Sequence, residues 1–211
     1  MVEPKKSKVK PISTGALKEL APNMLVERVM ELSEPDLQDL CEATEKSIVA
    51  GGGFGWLVPP SRGGLENYWR GVMLVPERSL FIGRVDGVVA GSTQLVRPTR
   101  NNEVRSRAAT LTMNFVAPWA RGHGLARALA VAVEEAAADE NFQVLNLDVR
   151  ETQEAAIAFF EGRGFERWGV HPRYAMVDGE WIAGFHYFKL TFHQLHGFFQ
   201  VSHGSYCYFA I

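Results

Sequence analysis

Cysteine is scarce: Cys41 and Cys207 are the two thiols in 211 residues. Two cysteines cannot build a disulfide framework, so the chain is expected to fold on burial alone in a reducing, cytoplasmic setting. Long apolar runs are missing as well. Nothing approaches the roughly 18 consecutive apolar residues of a membrane span, and the N-terminal lysines precede no apolar core of the kind a secretory signal carries. Charge of one sign does not dominate either. With 22 Lys and Arg against 24 Asp and Glu, the net charge is −2, which gives no global pull on nucleic acid or an anionic membrane, and neither partner is expected. There is no internal repeat, which excludes a solenoid.

What remains is enough for one well-filled core with tails. Residues 1–22 carry Lys5, Lys6, Lys8, Lys10 and Lys18 and few apolar side chains, the pattern of a flexible basic arm. Residues 23–191 hold the periodic segments. Residues 192–211 are an aromatic tail with His193, His196, His203 and Cys207. Without acidic neighbours that set is not expected to bind metal. A packed strand or an oligomer contact suits so many aromatics better, and a homodimer stays open.

In the central block, residues 24–32 read as a first strand. Ser33 then reads as an N-cap, with Pro35 in the first turn and Asp36 at the third position. Leu37, Leu40, Cys41, Thr44 and Ile48 give that helix a buried stripe, so Cys41 is read as a small core residue. A glycine-rich loop with Phe54 and Trp56 follows, then a helix marked by Leu65, Tyr68, Trp69, Val72 and Met73. Asp86-Gly87 separates apolar runs at 80–85 and 88–96, and Asp178-Gly179 separates 174–177 from 181–190. Each reads as a hairpin, because a type I′ turn needs positive φ at both central residues.

Between the hairpins lies the stretch that organises the chain. Residues 110–116 alternate as a strand, with Leu111, Met113 and Phe115 expected on one face. Leu125, Ala128, Leu129, Ala132, Val133 and Ala136 recur at helical spacing. Arg121-Gly122-His123-Gly124-Leu125-Ala126 therefore sits where a strand feeds the first turn of a helix. The backbone N–H groups of such a turn point outward with the positive end of the helix dipole, which suits a phosphate. No Lys-Ser or Lys-Thr follows the glycines, so this is no P-loop, and Arg127 stands where a dinucleotide fingerprint needs its third glycine.

Arg121, Gly124 and Ala126 satisfy Arg/Gln-x-x-Gly-x-Gly/Ala, and the stretch resembles the pyrophosphate loop of the GCN5-related N-acetyltransferases. Residues 144–149, a helix over about 152–162 and the exit Gly164-Phe165 resemble the next strand and helix of that family; the glycine-rich aromatic loop loosely resembles its tabtoxin-resistance members. The resemblance implies an α/β fold, a mixed and mostly antiparallel sheet with a splayed βαβ core covered by helices. It makes 23–191 an acetyltransferase domain that moves an acetyl group from acetyl-coenzyme A to a primary amine of a small molecule or peptide. The implied cofactor contacts are Asn114, Phe115, Val116, Arg121, Gly122, His123, Gly124, Leu125, Ala126, Gln153 and Phe160. Phe54, Trp56 and Trp181, with Tyr174, are expected along the acceptor. Two positions depart from the family pattern: Thr110 stands at a frequent position of the basic Glu, and Phe160 at that of an acidic Tyr. Asp148, Glu151, His171 and Asp178 remain as candidate bases, with Asp148 and Tyr174 the residues expected to act. The departures also leave open a non-catalytic coenzyme A-binding module.

Overall fold

The computed structural model describes residues 21–52 and 54–191. The aromatic tail and all but the last two residues of the basic arm lie outside the described residues, so the readings made of them go no further. Seven strands form one sheet: β1 (Met24–Val29), β2 (Arg78–Val85), β3 (Val88–Val96), β4 (Ala108–Val116), β5 (Val144–Arg150), β6 (Glu166–Val177) and β7 (Glu180–Leu190). Their spatial order is β1-β2-β3-β4-β5-β7-β6, antiparallel throughout except between β4 and β5. Helices α1 (Glu34–Val49) and α2 (Arg62–Leu74) cover one face; α3 (Leu125–Asp139) and α4 (Glu154–Glu161) cover the other.

Local chemistry sets the ends of these elements. The Ser33 hydroxyl accepts the Asp36 N–H at 3.3 Å and so occupies one of the unpaired donors of α1. Arg84 on β2 donates to the Asp36 carboxylate at 2.6 Å and fastens the same helix start to the sheet. Residues 30–32 bend toward this cap, so β1 is shorter than the strand expected over 24–32. In both Asp-Gly turns the two central residues have positive φ, 50° and 88° at Asp86 and Gly87, 50° and 84° at Asp178 and Gly179. These are the type I′ turns the sequence calls for.

Two clusters hold the sheet between its helices. Leu125, Leu129 and Val133 of α3 and Phe160 of α4 pack on Phe81, Leu95, Leu145 and Leu147. On the opposite face Leu40, Cys41, Leu65 and Trp69 pack on Leu80, Ile82 and Phe115. Each large side chain so buried contributes about 1.5–3 kcal/mol. Trp69 keeps its polar atom satisfied by donating to the Thr44 hydroxyl at 3.2 Å.

Two expectations fail for a shared reason, an irregular strand. Leu111, Met113 and Phe115 do not lie on one face: Leu111 belongs to the α3 side and Phe115 to the α1 side. Met113 has φ of 54°, and the pairing of β4 with β3 shifts between Ser92 and Gln94. One extra residue inverts the alternation beyond it. Likewise β6 begins at Glu166, well before the arm expected at Tyr174. Its pairing with β7 shifts twice, between Arg167 and Gly169 and between His171 and Ala175, which hides the period of two.

The bulge also opens the sheet. β4 and β5 pair only through Ala108 with Val144, Ala109 with Leu145 and Thr110 with Asn146. Past these three pairs the strands diverge.

Candidate active site

The gap between the diverging strands is a cavity of about 560 Å³ whose walls include Leu111–Asn114 from β4, Leu147–Arg150 from β5, Phe54, Gln153, Phe160 and Tyr174. Toward solvent, α3 begins beside β4. Gly124 caps α3 with φ of 91°, Gly122 has φ of 85°, and no side chain bonds to the helix start. The first closing bond runs from the Ala128 N–H to the Gly124 carbonyl at 3.1 Å. The N–H groups of Leu125, Ala126 and Arg127 therefore have no partner within the helix. Arg121, Gly122, His123 and Gly124 are exposed. A Cβ on Gly122 would meet nothing within 4 Å, and one on Gly124 would meet only the Met24 methyl at 3.9 Å. This mouth is open, and an anion can reach the backbone. The Arg121 side chain turns the other way and donates to the Val116 carbonyl at 3.1 Å, while the His123 ring lies 3.4 Å from the Ala120 carbonyl. Both side chains brace the turn, and the main chain is what faces outward.

Inside the gap, the Asn114 side-chain oxygen is buried and has no hydrogen-bond partner among the described residues. Such an orphan acceptor costs about 1–3 kcal/mol. An amide N–H lying along the open edge of β4 would relieve it, so a long ligand with a peptide-like arm and a diphosphate fits the walls and the mouth together. Phe115 and Val116 are buried, and the Val116 carbonyl is already taken by Arg121. Gln153 donates to the Gly51 carbonyl at 2.8 Å and Arg150 to the Gly52 carbonyl at 3.2 Å. These bonds draw the glycine-rich loop over the end of β5 and bring Phe54 to the gap, its ring 4.8 Å from that of Phe115. Phe160 is buried edge-on to Phe159 and Phe165 and forms part of the inner wall.

Asp148 and Tyr174 meet in this gap. The Tyr174 hydroxyl donates to the Asp148 carboxylate, and burial together with that carboxylate pushes the phenol well above the ordinary tyrosine range. The other candidate bases do not line the gap. Glu151 accepts the Ala183 N–H at 2.8 Å, His171 accepts the Arg173 N–H at 3.3 Å, and Asp178 forms the hairpin turn. Thr110 lies in the paired part of β4. Trp56 packs edge-on to Tyr68 at 4.9 Å, and Trp181 is exposed opposite Met176; neither lines the gap. Arg150 does line it and was not among the expected residues. Its signal is the period of two along β5, where Asn146, Asp148 and Arg150 alternate with the buried Leu145, Leu147 and Val149.

Comparison with known proteins gives the family. The model of the acetyltransferase (GNAT) family matches residues 38–165. An uncharacterised N-acetyltransferase from the hisH–hisA intergenic region of Azospirillum brasilense is 63% identical over 131 residues, 62% of this chain and 78% of that protein. An N-acetyltransferase structure from Staphylococcus aureus Mu50 superposes with a TM-score of 0.68 at 16% identity, covering 80% of this chain and 99% of that one. A phosphinothricin acetyltransferase of Sinorhizobium meliloti, solved with acetyl-coenzyme A, superposes with a TM-score of 0.64 at 17% identity over 89% of this chain and 96% of its own. The chain belongs to the GNAT family and is an acetyl-coenzyme A-dependent N-acetyltransferase.

Proposed function

We propose that the acceptor is a primary amine of a small molecule or peptide and that Asp148 takes its proton. The amine reaches the gap past Phe54, with Trp56 and Trp181 further along its approach. The turn from Arg121 through Ala126 holds the diphosphate of acetyl-coenzyme A, with the N–H groups from Gly122 onward as donors, since that of Arg121 is bonded to the Pro118 carbonyl. The edge of β4 at Asn114, Phe115 and Val116 holds its amide arm, and Gln153 and Phe160 complete that wall. When bound, acetyl-coenzyme A supplies the acetyl group as a thioester whose C–S bond breaks as the acceptor's C–N bond forms.

The observation that carries this reading is the Asp148–Tyr174 pair inside the gap. An amine of pKa near 10.4 costs about 4.6 kcal/mol to neutralise at pH 7, and an α-amine near 7.8 about 1. A carboxylate at the point of attack removes the proton as the C–N bond forms. One oxygen of the Asp148 carboxylate accepts the Tyr174 O–H, and no other hydrogen bond to that carboxylate is seen among the described residues, which leaves the second oxygen for the amine. Phe160 offers no proton to the departing sulfur. A thiol of pKa about 8.5 leaves near neutrality with little help. Proximity supplies most of the rate.

The test is acetyl transfer to a panel of amines, read by mass shift. Asp148→Asn should lower turnover at pH 7 by about 10²-fold for a lysine-like amine and by less for an α-amine. Saturable binding of acetyl-coenzyme A with no transfer to any amine would overturn the reading.

A further inference from the structure

Gly184 in the middle of β7 is buried, and its φ lies outside the left-handed region, so the backbone there makes no demand for glycine. The demand comes from Tyr174. A Cβ at position 184 would sit 2.2 Å from Cγ, 2.5 Å from Cδ2 and 2.7 Å from Cβ of that one side chain. These atoms form the root of the ring, which cannot yield by rotating a flexible tip.

The register explains how the ring comes to lie there. Gly184 pairs with Arg150 of β5 on one side and with His171 of β6 on the other. Four steps along β6, from His171 to Ala175, oppose only two along β7, from Gly184 to Ile182. Tyr174 rides on this excess. Its ring crosses β7 where β7 has no side chain, and its hydroxyl reaches Asp148 on the far strand. We propose that Gly184 is a positioning residue of the transfer site, bare so that Tyr174 can lie across the strand and tether Asp148. The inference rests on the role given to Asp148 above.

The titratable groups around the phenol are Asp148 and Arg150 from β5, His171 from β6 and His186 from β7. Gly184→Ala fills the ring's bed, so Tyr174 swings out and leaves Asp148 untethered. Two measurements test this. The first is ring-carbon NMR titration of Tyr174, assigned by the signal lost in Tyr174→Phe. Gly184→Ala should bring its midpoint down toward the ordinary tyrosine value. The second is a double-variant cycle on kcat. Gly184→Ala and Tyr174→Ala should each cost about tenfold, and the double variant should be no worse than Tyr174→Ala alone.

An unmoved titration, or losses that multiply, would overturn the proposal and leave Gly184 a packing residue of β7. Should Gly184→Ala alone fail to fold, the double variant is expected to fold, because the clash is gone; its failure would overturn the proposal too. Absence of transfer to every amine would strike the reading of Asp148, while the titration would still decide the role of Gly184.

Discussion

At Gly124 a demand of the backbone and the proposed grip on the diphosphate fall on one residue. Its φ of 91° turns the chain into α3, and the space where its side chain would stand is open out to the Met24 methyl. Gly124→Ala meets no steric neighbour, so its stability cost is the backbone term of about 1–2 kcal/mol. The new methyl, however, stands at the mouth where the diphosphate would lie. Calorimetry should show affinity for coenzyme A falling by more than tenfold, well beyond what the shift in denaturant midpoint accounts for. Equal affinity in both proteins would mean that the phosphates bind elsewhere. The turn itself was legible in the sequence, because a glycine pair between a strand pattern and a helix pattern marks the entry to a helix. Met113 was not. A positive φ at an unbranched apolar residue leaves no compositional mark, and the inverted alternation after it is visible only in three dimensions. The meeting of Tyr174 with Asp148 depends on register across β7, and register is a property of pairs of strands.

Among the elements, α1 carries the clearest electrostatic fastening. The Arg84 hydrogen bond, assisted by that from Ser33, holds the Asp36 carboxyl below the usual aspartate value against the opposing effect of burial. A carboxyl lowered in the folded state stabilises the fold above its unfolded pKa of about 3.9, and that contribution disappears as pH falls through the lower folded value. Stability should therefore fall below about pH 4. Asp36→Asn should cost about 1 kcal/mol at pH 7 and nothing at the acid end, so chemical denaturation of the two proteins across pH should converge. Parallel curves would show that the Arg84 bond does not hold α1. The cap, its stripe and both hairpins could be read from sequence because each rests on contacts close along the chain. The first half of β6 could not. Its period is broken by Gly169, Pro172 and two shifts of pairing, and it exists because β7 supplies a partner.

At the scale of the molecule, two cores lie back to back across one sheet, and Cys41 is sealed into the one beneath α1 and α2. Burial pushes its thiol up to about 11, so at neutral pH the group is neither ionised nor accessible. In a Cys207→Ser background, labelling of Cys41 should proceed only through global opening and should accelerate with urea in step with unfolding. Fast, urea-independent labelling would mean that α1 detaches while the rest of the fold persists.

The three residue pairs joining β4 to β5 are a thin seam down the middle of an otherwise continuous sheet. On either side of it the ladder is closed, four strands on the left and three on the right. A guest seated as proposed, its amides along β4 and its far end against β5, would work like a rivet. It would bridge halves that the protein's own backbone joins by only three pairs, so occupancy of the site and rigidity of the whole sheet would rise together.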